Sequence, residues 1–308
     1  MATFTQSTFN ALSYATFRPS YPRQLFQKVL AFHNASPNAT KGTLLDLGCG
    51  HGLISRELSP SFTTVLGTDP SASMISQAQS STPQEKYTNI SYRQASAEDL
   101  SFVADGSLDM VVAGQAAHWF DFGRAWPELS RTVRKGGTLA FWGYKDNYLV
   151  DFPKATRVLD EYCYGEDHMG PYWEQPGRSI LRDLYRGIVP PESGWEDVER
   201  IEYEPSMEGK GKGKGKGEVL MQKRLTLGEL EGYVRTFSAF VNYREVRVRE
   251  GKREKRRNTV IGRGGDVVDR MFDEMRRVES SWEEMGKRWR YLEVENEWGS
   301  IILLARRR

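Results

Sequence analysis

Thr43-Leu44-Leu45-Asp46-Leu47-Gly48-Cys49-Gly50-His51-Gly52 is an apolar run that ends in three glycines at alternate positions, with a helix-like segment behind it. A strand that breaks into such a turn presents bare backbone to a ligand, because glycine tolerates positive φ and has no Cβ to hold the ligand off. The following helix adds unpaired N–H groups and the positive end of its dipole. Asp46 matters as much as the glycines. A carboxylate just ahead of the turn suits a cation, not a nucleotide pyrophosphate.

Outward from this turn, residues 43–144 alternate strand and helix. The pattern predicts strands at Thr43–Leu47, Thr63–Thr68, Ile90–Gln94, Leu108–Ala113 and Thr138–Gly143. Helices are predicted at about 52–59, through Ala72, Met74, Ile75 and Ala78, and through Ala125, Trp126, Leu129 and Val133, the last stopping at Gly136-Gly137. Repeated βα units imply a parallel sheet with helices on both faces. Ligands of such sheets sit at the carboxyl ends of the strands. Past residue 145 the alternation is lost. Trp195–Tyr203, Val219–Thr226 and Ile301–Leu304 read as strands, Leu227–Val241 and the stretch around Val267–Met275 as helices. The glycine–lysine tract Gly209–Gly217 cannot bury a core and reads as a disordered loop, and the basic run Arg244–Arg257 as a solvated loop. Three regions follow: an N-terminal helical lid over 1–42, a cofactor-binding α/β core over 43–145, and a substrate-side elaboration with the remaining strands over 146–308. Flexible loops are expected near 207–218 and 244–262.

Composition narrows the function. The 308 residues carry a net charge of +2, which gives no case for nucleic-acid binding. No run of about 18 apolar residues predicts a membrane span, and Met1–Gln6 has no secretory-signal pattern. Two cysteines, Cys49 and Cys163, are too few for a disulfide framework, so a reducing, cytoplasmic setting is expected. No Cys/His set has metal-ligand spacing, and no metal is expected. The expected partner is a small molecule, and the expected state a monomer or homodimer.

A dinucleotide fingerprint requires a third glycine where Leu53 stands, so that reading fails. The order D-x-G-x-G-x-G, with Asp69 ending the second strand about twenty positions after Gly48, places an acid where it can take both hydroxyls of a ribose. The loop Ser96–Phe102 follows the third strand and is placed to hold an adenine ring. These motifs resemble those of the class I S-adenosylmethionine-dependent methyltransferases, whose Rossmann-like α/β sheet has seven strands. Further blocks sharpen the likeness: Phe17–Pro22, Ala117-His118-Trp119-Phe120-Asp121-Phe122, Trp142-Gly143-Tyr144, Gly170–Ser179 and Tyr233–Ala239. Together they resemble the fungal trans-aconitate 3-methyltransferases, and related fungal methyltransferases of epidithiodiketopiperazine thiols share much of the set. The resemblance covers about residues 4–242.

The resemblance implies S-adenosylmethionine as cofactor, held by Tyr14, Arg18, Asp46, Gly48, Gly50, Asp69, Met74, Ser96, Ala97 and Gln115. The superfamily usually has an acid where this chain has Ser96, whose hydroxyl can still accept the adenine amino group. For the reaction it implies Gln115, His118 and Trp119 at the exit of the fourth strand. Tyr144, Tyr172, Trp173, Arg178, Arg182 and Arg235 are expected around the acceptor. A carboxylate acceptor is ionised at neutral pH and needs orientation rather than a base, which arginine forks supply. A thiol or hydroxyl acceptor needs help in losing its proton, and His118 or a tyrosine is the candidate. The residues leave both open.

Overall fold

A computed structural model describes residues 16–208, 215–252 and 265–308. Tyr14 and most of the two expected flexible stretches lie outside the described residues. In chain order the elements are α1 (Arg23–Asn34), β1 (Thr43–Leu47), α2 (Leu53–Leu58), β2 (Thr64–Asp69), α3 (Ala72–Ser80), β3 (Ile90–Gln94), β4 (Leu108–Gly114), α4 (Phe122–Thr132), β5 (Val133–Leu149), α5 (Pro153–Tyr164), α6 (Gly177–Arg182), β6 (Trp195–Tyr203), β7 (Gln222–Thr226), α7 (Leu227–Val234), α8 (Ser238–Arg249), α9 (Val267–Val278), α10 (Ser280–Glu284) and β8 (Glu293–Arg307). The strands form a sheet in the order β3-β2-β1-β4-β5-β8-β6, with β7 as an eighth strand pairing β8. The family resemblance implies seven strands; the eighth, β7, falls within the predicted strand Val219–Thr226 and hydrogen-bonds the first part of β8.

The chain forms two compact units. The sheet unit comprises Tyr21–Lys145, Pro176–Tyr203 and Ser300–Arg308; the described residues of 16–20, 146–175 and 204–299 form the accessory unit. In the sheet unit β1, β2, β3, β4 and β5 pair in parallel, and β6 runs antiparallel to β8. β4 is buried along its whole length, which is why it reads as a near-continuous apolar run. Successive strand residues face opposite ways. Phe141 accordingly stacks on Trp126 of α4, while Trp142 meets Phe26 of α1 edge-on from the other face. Helices thus cover both faces.

Two boundaries differ from the periodic reading. α4 stops at Thr132, and β5 already begins at Val133 and continues through Gly136-Gly137, where Gly136 takes φ 74°. The apolar stretch Leu227–Val241 is two helices, not one. Phe237 is extended (φ −67°, ψ 136°), and the Thr236 hydroxyl donates to the Tyr233 carbonyl at 2.6 Å, ending α7. The start of the basic run, Arg244–Arg249, is the last turn and a half of α8 rather than a loop. Lys216, at the end of the glycine–lysine tract, pairs with Glu204 in an isolated antiparallel bridge.

The accessory unit is fastened by charge as well as by its core. Thr226 with Glu229, and Asp266 with Asp269, form capping boxes at the starts of α7 and α9. Arg235 then joins the two helices: its guanidinium meets Glu231 at 3.0 Å, Asp266 at 2.6 Å and Asp269 at 2.9 Å. All three acids are buried. Glu231 also meets Arg290 at 2.6 Å, so removing Arg235 leaves chiefly the buried Asp266 and Asp269 facing each other, which costs more than the pair itself contributes. Arg235→Ala is expected to lower unfolding stability by about 3–5 kcal/mol, read by denaturant titration. A loss below ~1 kcal/mol, the scale of an exposed pair, would show that solvent replaces the guanidinium.

Candidate active site

The glycine turn is built from left-handed backbone. Gly48, Gly50 and Gly52 have φ 65°, 53° and 79°. A Cβ at Gly48 would sit 2.5 Å from the Ala116 methyl, and one at Gly52 would strike the Tyr92 hydroxyl. Beside Gly50 the space is open to 4 Å. Only at that glycine does the turn leave room for a ligand against the main chain. The Cys49 N–H donates to the Thr68 carbonyl at 2.9 Å, carrying the β1–β2 ladder into the turn.

Two acids frame it. Asp69, at the end of β2, accepts the Gly50 N–H at 3.0 Å on one oxygen and the Ser71 N–H at 2.9 Å on the other. Its carboxyl pKa is nevertheless raised, because burial outweighs those two bonds. Asp46, fully buried within β1, accepts the Ser55 hydroxyl of α2 at 2.6 Å on Oδ2. Oδ1 has no hydrogen-bond partner. Burial pushes its pKa up to about 7, and the Asp69 charge adds to the effect. Ser55 was not foreseen. A serine on the apolar face of a short helix with Ile54 and Leu58 was the one signal for it.

The adenine side follows from the β2–β3 pairing. The Ala95 N–H donates to the Asp69 carbonyl at 3.2 Å, so Ser96 and the buried Ala97 come next to Asp69. Met74 is buried in the first turn of α3, its N–H donating to the capping hydroxyl of Ser71.

The exit of β4 is the second constellation. Gln115 takes φ 57°, an uncommon conformation for a residue with a Cβ. Its side-chain amide behaves as an extra peptide group in the sheet: Nε2 donates to the Tyr144 carbonyl and Oε1 accepts the Tyr144 N–H, both at 2.8 Å. Gln115 and the buried Tyr144, expected at cofactor and acceptor, are therefore joined to each other. His118 and Trp119 occupy a 3₁₀ turn over Ala117–Trp119. His118 is buried, and its Nδ1 lies 3.1 Å from the hydroxyl of Tyr185. Trp119 is packed against the start of α6, where a Cβ on Gly177 would come within 2.6 Å of the indole ring. Arg178 and Arg182 lie one turn apart on that helix, Arg178 half-buried and Arg182 exposed.

The remaining expected residues lie in the accessory unit. Arg18 donates to the Thr236 carbonyl at 3.1 Å and sits over the rings of Tyr233 and Phe237. Trp173 packs on Tyr164 and Phe237, and its Nε1 donates to the Cys163 carbonyl at 2.7 Å. Tyr172 meets Tyr243 edge-on, and its carbonyl accepts from Asn242. Arg235, expected to bind the acceptor, is instead committed to its three carboxylates. A small cavity in this unit is lined by Asp146, Asp160, Cys163, Tyr164 and Phe237, among others. Among the described residues no group of three His, Cys, Asp or Glu side chains has the disposition of a metal site, and no helix is long and apolar enough to cross a membrane.

A parallel sheet whose first strand ends in a glycine turn, closed by an acid from the second, defines a Rossmann-like nucleoside-cofactor fold. Known proteins specify which. A family profile for the methyltransferase domain matches residues 45–141. The probable S-adenosylmethionine-dependent methyltransferase CRG1 of Saccharomyces cerevisiae is 31% identical over 246 residues, which span 78% of this chain and 82% of that protein. A Dictyostelium discoideum protein assigned as a methyltransferase is 27% identical over 231 residues, 75% of this chain and 76% of its own. A solved structure from Anaeromyxobacter dehalogenans, assigned as a type II methyltransferase, superposes with a TM-score of 0.64 at 25% identity over 94% of this chain and 98% of that one. This chain belongs to the S-adenosylmethionine-dependent methyltransferase family. It is a class I methyltransferase, and its cofactor is S-adenosylmethionine.

The raised pKa of Asp46 has a pH signature. Between the ordinary carboxylate range and about 7 the native chain holds a proton that the unfolded chain has released. Stability of the cofactor-free protein therefore falls as pH rises through that window. Asp46→Asn removes the titration. Measured by denaturant unfolding without cofactor, the variant is expected to gain on the wild type between pH 5 and pH 8 by on the order of 2 kcal/mol. A pH-independent difference would refute the buried ionisation.

Proposed function

We propose that this enzyme methylates a small carboxylic acid, trans-aconitate or a close relative, to its methyl ester. Bound S-adenosylmethionine supplies a methyl group on a sulfonium. Asp46 offers its second, unpartnered oxygen to the cationic end of the cofactor. The open space beside Gly50 lets that end approach the main chain, while Gly48 lets the turn pack on Ala116. Asp69 accepts the ribose hydroxyls, with its two backbone bonds already setting the carboxylate plane. Met74 and Ala97 flank the adenine, and the Ser96 hydroxyl accepts its amino group. Gln115 holds the exit of β4 against β5 and so fixes where His118 and Trp119 stand.

One observation carries the acceptor reading: α6 packs on Trp119 through the bare Cα of Gly177, and the next residue is Arg178. That contact starts α6 beside the β4 exit, where the acceptor has to lie, and supports the reading that the Arg178 guanidinium serves it. Its fork matches a carboxylate, and aligning one oxygen with the methyl supplies much of the acceleration. Arg182 adds a second cation on the same helix face for an acid with more than one carboxylate. The alternative, transfer to a thiol or hydroxyl of a secondary metabolite, is favoured by a different observation. His118 is buried and held by Tyr185, an arrangement suited to a base that a carboxylate does not require.

Radiolabelled cofactor with trans-aconitate and with a dithiol acceptor separates the two readings. No turnover of any carboxylic acid beside turnover of the dithiol would overturn the first. Arg178→Ala is expected to raise KM for trans-aconitate about tenfold or more while changing KM for the cofactor little. Equal effects on both would make the arginine structural. Asp69→Ala is expected to weaken cofactor binding by about 1–3 kcal/mol in calorimetry, and unchanged affinity would remove Asp69 from the cofactor site.

A further inference from the structure

Tyr185 has no sequence signature, yet the chain goes to some length to place it. Leu184 and Tyr185 are consecutive non-glycine residues in left-handed backbone, φ 52° and 57°. Such conformations are strained for residues with a Cβ and persist where the surroundings impose them. Both side chains are fully buried. The turn drives the phenol under the β4 exit, where its oxygen meets the His118 ring Nδ1 at 3.1 Å and lies 3.5 Å from the Trp142 carbonyl. Burial raises the hydroxyl pKa far above its ordinary value, so it stays protonated. On β5 the phenol is accommodated by Gly143, where a Cβ would stand 2.6 Å from the hydroxyl oxygen. One oxygen therefore joins the ring of His118 to the main chain of β5 at Trp142.

We propose that Tyr185 is a positioning residue for methyl transfer: it fixes the rotation and tautomer of the His118 imidazole, so that Nε2 is the nitrogen presented to the acceptor. This rests on the reading of His118 as a residue of the acceptor site. With the phenol occupying Nδ1, ring flips are blocked, and the ring meets the acceptor in one orientation. Each acceptor class then goes with one tautomer: with the phenol donating to Nδ1, Nε2–H donates to a carboxylate oxygen, and with Nδ1–H donating to the phenol, bare Nε2 takes the proton of a hydroxyl or thiol. Gly143 belongs to the same device, since only a residue without Cβ lets the phenol reach.

The test uses the full-length chain labelled with ¹⁵N-histidine and saturated with S-adenosylhomocysteine, with His118→Ala assigning the His118 ring signals among the four histidines. The wild type is expected to show one tautomer, with well separated ring nitrogens. Tyr185→Phe is expected to shift both signals toward the averaged values of a mobile ring. An unchanged tautomer in Tyr185→Phe overturns the proposal. A kinetic arm uses trans-aconitate. Tyr185→Phe is expected to lower kcat about tenfold with KM for the cofactor within twofold, and to add nothing in a His118→Ala background. A loss that adds fully to that of His118→Ala overturns the proposal, because Tyr185 then acts independently. Full activity of His118→Ala removes His118 from the acceptor site, and the proposal falls with that reading. Unchanged kcat in Tyr185→Phe beside a crippled His118→Ala overturns only the role of Tyr185. Should Tyr185→Phe fail to fold, Gly143→Ala, whose methyl displaces the hydroxyl while keeping it, is read by the same signals.

Discussion

The hydrogen bond from the Gly50 N–H to Asp69 is the contact on which the cofactor half of the molecule depends. It ties the turn after β1 to the end of β2, one residue beyond the Leu47–Thr68 pairing that closes their register. The same carboxylate holds the Ser71 N–H, so it also starts α3. Three chain segments are set by one acid. The arrangement is electrostatically uneasy, because Asp46 lies buried close by with a raised pKa. Arg56 acts on Asp46 from α2, but burial outweighs it, and two buried carboxylates close together work against the fold. A ligand that brings a positive charge relieves this, and by linkage its binding and the stability of the turn reinforce each other.

The parts of this site that could be read from sequence are the local ones. β1, its glycines and Asp69 fall within a single βαβ unit, where periodicity, turn chemistry and strand ends act over short separations. β3 was placed to the residue, and the strands at Trp195–Tyr203 and the C-terminus were found as apolar or alternating runs. The errors came where periodicity is silent. A helix and an extended break of the same apolar character gave one predicted helix in place of α7 and α8. The two glycines after α4 looked like a helix stop, whereas the helix had ended already at Thr132 and the glycines lie inside β5.

Arginine shows the same limit in chemical form. Arg178, Arg182 and Arg235 were equivalent as candidates for holding a carboxylate. What marks out Arg235 is the set of acids that folds against it. Asp266 and Asp269 stand 31 and 34 positions from Arg235, and pair with it only once α9 packs onto α7. A charge in sequence has a sign; its availability is a property of the tertiary structure. Once neutralised by three buried carboxylates, a guanidinium is a fastener for helices and cannot also serve a substrate without loss of the fold.

At the exit of β4 the two kinds of information meet. Gln115 looks from sequence like a polar site residue, and its position after a strand is where such a residue is expected. In the structure its amide is absorbed by Tyr144, as if the sheet had borrowed a peptide group from a side chain. That pairing prolongs the rigid ladder past the last main-chain partners, Gly114 and Trp142. A residue held at φ 57° turns the chain sharply out of the sheet. The strain stays local because two 2.8 Å bonds and the main-chain bond from the Gln115 N–H to Trp142 hold it. The 3₁₀ turn that carries His118 and Trp119 therefore starts from a fixed point. Methyl transfer is mostly a matter of alignment, so rigidity at this point is itself a catalytic resource. Gln115 provides it as part of the sheet, whichever nucleophile the enzyme takes.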